Sequence, residues 1–299
     1  TGLASNWDAD RAANKATIAI SSGDNFGAAP PISTEFEEIP TIEALNLAKL
    51  DVSTFGNHEH DRNLTHLNKM IGASDFEWVV SNYPADALAT LKSGTKAAKS
   101  FTVIDRGGVK IGVVGANTSE TIEQIFPGNL DYTNAAGVKK TIEIEKGVTG
   151  VNAAIVDAKA AGADIVVVAI HQGWTENSEG TAKGLFIDLA KQIKGATAIY
   201  GGHSHQTFAA VIPGNTRISP IALGEQIMRP PRAAVKIAVG FIDNQDQPMP
   251  PRQIAKIGEG LGRIFHPTRI VGRNKDDGLG FGGDQRLGRS RRWDQICPA

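Results

Sequence analysis

Between Asn57 and Asp61 the chain sets an amide, two imidazoles and two carboxylates side by side, in the stretch Ser53-Thr54-Phe55-Gly56-Asn57-His58-Glu59-His60-Asp61. Three other apolar runs end in the same kind of chemistry. Ile18-Ala19-Ile20-Ser21-Ser22-Gly23-Asp24 ends on a carboxylate, Asp164-Ile165-Val166-Val167-Val168-Ala169-Ile170-His171 ends on an imidazole, and Ala198-Ile199-Tyr200-Gly201-Gly202-His203-Ser204-His205 ends on two. A carboxylate, imidazoles and an amide oxygen form a mixed O/N set suited to Zn, Mn, Fe or Co rather than to thiolate-selecting metals. Two such ions about 3.5 to 4 Å apart would clamp a phosphoryl oxygen and make hydroxide available at neutral pH.

Elements that deliver side chains in this way have a recognisable order. Residues 1–15 read as an Ala-rich helix feeding a strand at 16–22, and Gly23 permits the turn that exposes Asp24. Pro40 opens a helix with Ile42, Leu45, Leu47 and Leu50 at roughly helical spacing, and a strand follows at 51–55. Strand, helix, strand in so short a span is a βαβ unit with parallel strands. A helix over 63–71, a strand over 77–82, and a hairpin of 101–105 with 109–114 about Arg106-Gly107-Gly108 come next. A helix over 148–161, a strand over 164–170, a helix over 181–193 and a strand over 197–200 make a second βαβ unit. Residues 207–242 read as antiparallel strands finishing a sheet. In such sheets the groups that act on ligands collect beyond the carboxyl ends of the strands.

With 299 residues, 41% apolar and 21% charged content, the chain can bury a large core, and a net charge of -1 gives no reason to expect nucleic acid as the main partner. The single Cys297 excludes an intrachain disulfide and a Cys-based zinc site. No apolar run is long enough to span a bilayer. Residues 1–250 are expected to form one catalytic domain. Residues 251–299, rich in Gly and Arg with little periodicity, are expected to be an irregular basic tail.

The Gly-Asp, Gly-Asn-His-Glu and Gly-His-Ser-His series, in this order over roughly residues 1–240, resembles the calcineurin-like metallophosphoesterases. Gly23-Asp24-Asn25-Phe26 followed by Gly56-Asn57-His58-Glu59-His60-Asp61 is similar to the catalytic domain of the 5'-nucleotidase branch. The resemblance implies a four-layer α/β/β/α sandwich that hydrolyses phosphate monoesters, nucleotides foremost, by in-line attack of a metal-bound hydroxide. It implies metal ligands at Asp24, Asn57, His171, His203 and His205, with Asp24 bridging two ions. His58 would be the transition-state histidine, with Asp61 orienting it. It also implies a periplasmic or secreted location.

Glu59 and His60 have no part in that scheme. The family's Asp-x-His motif would precede Asp24 by some forty residues, more than stand before it, so a longer natural chain is expected, and this form is expected to hold one metal firmly and a second weakly or not at all. Two divalent ions about 4 Å apart repel by roughly 16 kcal/mol at an effective dielectric near 20. The aromatic-rich carboxyl-terminal domain of the 5'-nucleotidases has no counterpart in residues 252–299. Three alternatives stay open: a related cyclic-nucleotide or nucleotide-sugar phosphoesterase, a non-catalytic phosphate- or metal-binding relic of the fold, and a nucleic-acid binder acting through the basic tail. All but the last require Asp24 and His171, far apart in sequence, to meet.

Overall fold

The structure is a computed structural model and describes residues 2–174, 176–178, 181–205 and 236–240. Helix α1 (Gly2–Ala13) leads into strand β1 (Thr17–Ser21), as the sequence predicts. Helix α2 (Ile39–Leu47) carries Pro40 in its first turn, where the missing N–H costs nothing. It buries Ile42 and Leu45 but leaves Leu47 82% exposed, because a residue two positions beyond Leu45 falls on the far face of a helix. Strand β2 (Val52–Ser53) then pairs parallel with β1, Ile20 opposite Val52 and Ser21 opposite Ser53. Asn63 caps helix α3 (Leu64–Ala73), its side chain accepting the His66 N–H at 3.1 Å, and strand β3 (Glu77–Trp78) pairs parallel with β2.

The second sheet opens with the antiparallel hairpin β4 (Phe101–Arg106) and β5 (Val109–Ala116). Helix α4 (Thr149–Ala160) carries the chain to strand β6 (Ile165–Ile170), helix α5 (Leu185–Gln192) to strand β7 (Ala198–Tyr200), and β5, β6 and β7 are parallel. The expected helix at 181–193 is shorter than its pattern. Thr181–Lys183 pairs antiparallel with Glu176–Ser178, and helical geometry starts only after Gly184, whose φ of 115° no helix accommodates. A second correction concerns 207–242. Its described piece, strand β8 (Lys236–Gly240), pairs parallel with β1 along its whole length, giving the order β8-β1-β2-β3, rather than turning back antiparallel. The edge of a sheet with only parallel neighbours has been extended in the same sense. The expected tail, 251–299, lies outside the described residues.

Successive strand residues face alternate cores, and this defines four layers. Ile18, Ile20 and Val52 meet Ile111, Val113, Val167, Ala169 and Tyr200 in a core between the sheets. Ala19 faces the other way, into a cluster with Trp7, Ile42, Leu67 and Trp78 under α1, α2 and α3. Val166, Val168 and Ile170 likewise pack against Val151, Ile155 and Phe186 of α4 and α5. Strands covered on both faces read as unbroken apolar runs, which is why their ends are visible in the sequence. The sheets also touch directly: the Ser81 N–H donates to the Gly115 carbonyl at 2.8 Å, and a Cβ on Gly115 would lie 2.0 Å from the Val79 carbonyl oxygen.

Candidate metal centre

Two of the strand ends deliver their side chains through left-handed backbone. Asp24 follows β1 with φ 58°, and His203 and His205 follow β7 with φ 72° and 51°. Left-handed backbone at non-Gly residues costs energy and clusters at functional sites. Asn57 caps the tight turn His58–His60 that follows β2, His58 is that turn's first residue, and His171 follows β6 directly.

These turns converge. The His171 Nε2 lies 3.0 Å from Asp24 Oδ2 and 3.2 Å from Asn57 Oδ1, and the His203 Nδ1 lies 3.1 Å from Asn57 Oδ1 and 3.2 Å from His171 Nε2. Ligand atoms of Asp24, His171 and His203 all fall within 4.8 Å of one another. The other ring nitrogen of His171, Nδ1, donates to the Ser22 carbonyl at 2.8 Å, so the neutral ring turns a lone pair inward. His203 Nε2 faces Glu120 Oε2 at 3.2 Å, which leaves Nδ1 as the inward lone pair. In these tautomers two imidazole nitrogens, an amide oxygen and a carboxylate turn toward one spot. Tetrahedral ligands about 2.1 Å from an ion sit about 3.4 Å apart, close to the spacing here, so a divalent cation fits the donor set. Of the five predicted ligands, Asp24, Asn57, His171 and His203 are brought together. His205 stands two residues beyond His203 with an exposed side chain, outside the three-residue cluster.

The charges respond to this crowding. Burial works against ionisation of Asp24, but the neighbouring His171 outweighs it and holds the carboxyl below its usual range. Burial likewise opposes charge on His171, and Asp24 reverses the balance and raises it. At the rim His58 hydrogen bonds through Nδ1 to Asp61 Oδ2 at 2.9 Å, and its backbone N–H donates to Asp24 Oδ1 at 3.0 Å. The Asp61 hydrogen bond, opposed by partial burial and helped by the Asp24 charge, pushes His58 up to about 9. A half-exposed imidazolium beside the cluster can donate through Nε2 to an anion.

The structure gives Glu59 and His60 the parts that the motif leaves unassigned. Glu59 is fully buried, and its carboxylate accepts the N–H groups of Asp24 at 2.8 Å, Asn25 at 2.7 Å and Gly56 at 2.6 Å. It ties the loop after β1 to the loop after β2. Burial first, then the Asp24 charge, raise it to about 7 against the pull of those N–H groups. Asn82 and Asn117, strand-end amides in the sequence, brace the same floor: the Asn117 N–H donates to Asn82 Oδ1 at 3.0 Å, and the Asn117 amide donates to Tyr83 Oη at 2.7 Å and the Gly56 carbonyl at 3.2 Å. Nothing in local sequence marks Glu120, which reaches His203 from far along the chain; only its place just beyond β5 hints at it.

His60 carries a testable consequence. It is fully buried, 2.6 Å from Tyr83 Oη through Nε2, and among the described residues its Nδ1 finds no hydrogen-bond partner. Burial lowers it from 6.5 to about 4. The unfolded chain then takes up this proton first as pH falls, so stability is full above the unfolded value of 6.5 and is lost toward 4. Between about pH 8 and pH 5 that loss is about 2 kcal/mol. Urea unfolding at both pH values should show wild type losing that much more than the His60→Phe variant. Parallel pH profiles would mean that the folded protein protonates His60 freely.

Sequence and structure comparisons agree on the kind of protein involved. The family described as bacterial capsule synthesis protein PGA_cap matches residues 40–217. The chain is 24% identical over 225 residues to endonuclease YhcR of Bacillus subtilis (73% of this chain, 18% of the relative). It is 28% identical over 174 residues to the trifunctional nucleotide phosphoesterase YfkN of the same organism (56% and 11%). The structure superposes on calcineurin-like phosphoesterase YfkN with TM-score 0.53 and 22% identity (70% of this chain, 65% of that one). It superposes on a 5'-nucleotidase precursor from Thermus thermophilus with TM-score 0.54 and 22% identity (71% and 37%). The chain spans less than a fifth of the length of either curated relative.

Proposed function

Because the chain belongs to the bacterial capsule synthesis protein PGA_cap family and has the calcineurin-like metallophosphoesterase fold, we propose that it hydrolyses phosphate esters with a divalent metal, nucleotide monoesters foremost. One observation carries this reading: the lone pairs of Asp24, Asn57, His171 and His203 converge at 3.0–3.2 Å beside the His58–Asp61 pair. Four-fold O/N ligation alone would serve storage or structure. A cation site with a charged hydrogen-bond donor at its rim serves anion chemistry.

A divalent ion held there supplies Lewis acidity toward a phosphoryl oxygen and makes water a nucleophile at neutral pH. The remaining work falls to the chain. His58 Nε2–H donates to a non-bridging or leaving oxygen and stabilises the charge that grows on it. Asp61 fixes the Nδ1–H tautomer and the ring's direction. Glu59 fixes the two loops that carry Asp24 and Asn57. Asp24, His171 and His203 are the proposed ligands together with the Asn57 oxygen; His205 keeps its proposed role as ligand to a second ion. Location outside the cytoplasm belongs to the same proposal, and among the described residues no helix is long and apolar enough to cross a membrane.

The test is hydrolysis of AMP, a 2',3'-cyclic nucleotide and a nucleotide sugar by the purified chain with Mn or Zn added. Metal-dependent release of phosphate from AMP, abolished in Asp24→Asn, is the expected result. Metal binding without turnover on any of the three would replace the hydrolase by a metal-binding relic of the fold.

A further inference from the structure

We propose that Glu120 is a positioning residue of this centre: its carboxylate takes the Nε2 proton of His203 in a hydrogen bond and so holds the Nδ1 lone pair toward Asn57 and His171. The inference rests on reading the cluster as a metal centre and adds a residue outside the recognised motifs. An imidazole has two neutral tautomers, and only the one with Nδ1 bare can ligate here; a proton on Nδ1 would point at Asn57 Oδ1, 3.1 Å away, and fill the place of the cation.

His171 has its tautomer set by the main chain, since Nδ1 donates to the Ser22 carbonyl. His203 follows two glycines at φ 72°, and among the described residues no such carbonyl meets its Nε2; what faces that nitrogen is Glu120 Oε2 at 3.2 Å and the Gln124 amide at 3.3 Å. The amide can present either end by rotation and so selects neither tautomer, whereas a carboxylate can only accept. Glu120 is itself held in place. Its N–H donates to Thr118 Oγ1 at 3.2 Å, the Gln172 amide donates to Oε2 at 3.4 Å, and Thr118 Oγ1 donates to Gln172 Oε1 at 2.6 Å, with Gln172 adjacent to His171. The arrangement ties the outer partner of His203 to Gln172, the residue that follows His171. Carboxylates behind ligating histidines fix ring orientation, and their loss typically weakens metal binding about 10- to 100-fold.

The experiment uses the full chain, labelled with ¹⁵N and stripped of metal, as wild type, Glu120→Gln and Glu120→Ala. Long-range ¹H–¹⁵N correlations at about pH 8 read the His203 ring nitrogens directly, and Mn²⁺ titration reads affinity. Expected are a bare Nδ1 in wild type, a mixture of tautomers in Glu120→Ala with Mn²⁺ bound about 10- to 100-fold more weakly, and rescue of both in Glu120→Gln, whose amide oxygen still accepts. An unchanged His203 tautomer with affinity within twofold in Glu120→Ala overturns the proposal. If wild type fails to bind Mn²⁺, the metal-centre reading falls, and the nitrogen shifts still decide whether Glu120 sets the ring.

Discussion

His58→Ala is expected to lower turnover of a phosphate monoester about 10²- to 10⁴-fold while leaving metal affinity within a few-fold of wild type. The separation follows from how His58 is attached. Its link to the metal cluster is a main-chain one, the backbone N–H on Asp24 Oδ1 at 3.0 Å, and alanine keeps it. Its chemistry is in the side chain, which stands half-exposed at the rim with Nδ1 on Asp61 and Nε2 turned outward. A group that contacts substrate charge most strongly in the transition state lowers kcat and kcat/KM together when removed. Asp61→Asn should fall between wild type and His58→Ala, because the ring remains but an amide no longer stabilises its proton as a carboxylate does. Steady-state kinetics on AMP with saturating Mn, alongside Mn titration of each variant, makes the measurement. Turnover of His58→Ala within threefold of wild type would remove His58 from the reaction and leave the metal to act alone.

The sequence is most legible where one physical cause dominates. Parallel strands buried on both faces are mostly apolar, so the first charged or imidazole side chain after the runs ending at Ile20, Ile170 and Tyr200 lies just beyond a strand end, and the strand ends of such a fold are where side chains meet a ligand. That rule places Asp24 and His171, distant along the chain, on one spot 3.0 Å across. It fails where two causes compete. Thr181 to Ile193 has helical content, but Gly184 and a two-strand ribbon override it at the start. Strand β8 has the apolar content of any sheet strand, and its direction depends on which edge it reaches, which local pattern does not encode. Glu59 looks idle in the sequence because its partners are backbone N–H groups, and those have no sequence signature. Glu120 escapes notice for a related reason: its identity as an exposed acid is ordinary, and only its distance to His203 distinguishes it.

Gly56→Ala tests how tightly the floor of the cluster is packed, and a single methyl there should weaken Mn²⁺ binding about a hundredfold. The cause is space and not backbone freedom, since Gly56 is not among the glycines at positive φ. A Cβ built at Gly56 would sit 2.2 Å from Asp24 Oδ1 and 2.8 Å from the His171 ring. Both contacts are well inside van der Waals separation, so something must shift. Asp24 is pinned by the His58 N–H on the same oxygen and, through its own N–H, by Glu59; His171 is pinned by the Ser22 carbonyl. Neither side chain can yield without breaking one of these bonds, and a ligand displaced by about 1 Å no longer meets the ion. The change also strains the loop, so unfolding must be measured beside binding. Gly94→Ala serves as the reference: that glycine has φ 59° with nothing among the described residues within 4 Å of a new Cβ, and its replacement should cost about 1 kcal/mol of stability with Mn²⁺ affinity intact. If Gly56→Ala binds Mn²⁺ as wild type does, Asp24 and His171 are not fixed ligands, and the convergence of the four strand ends is packing without metal chemistry.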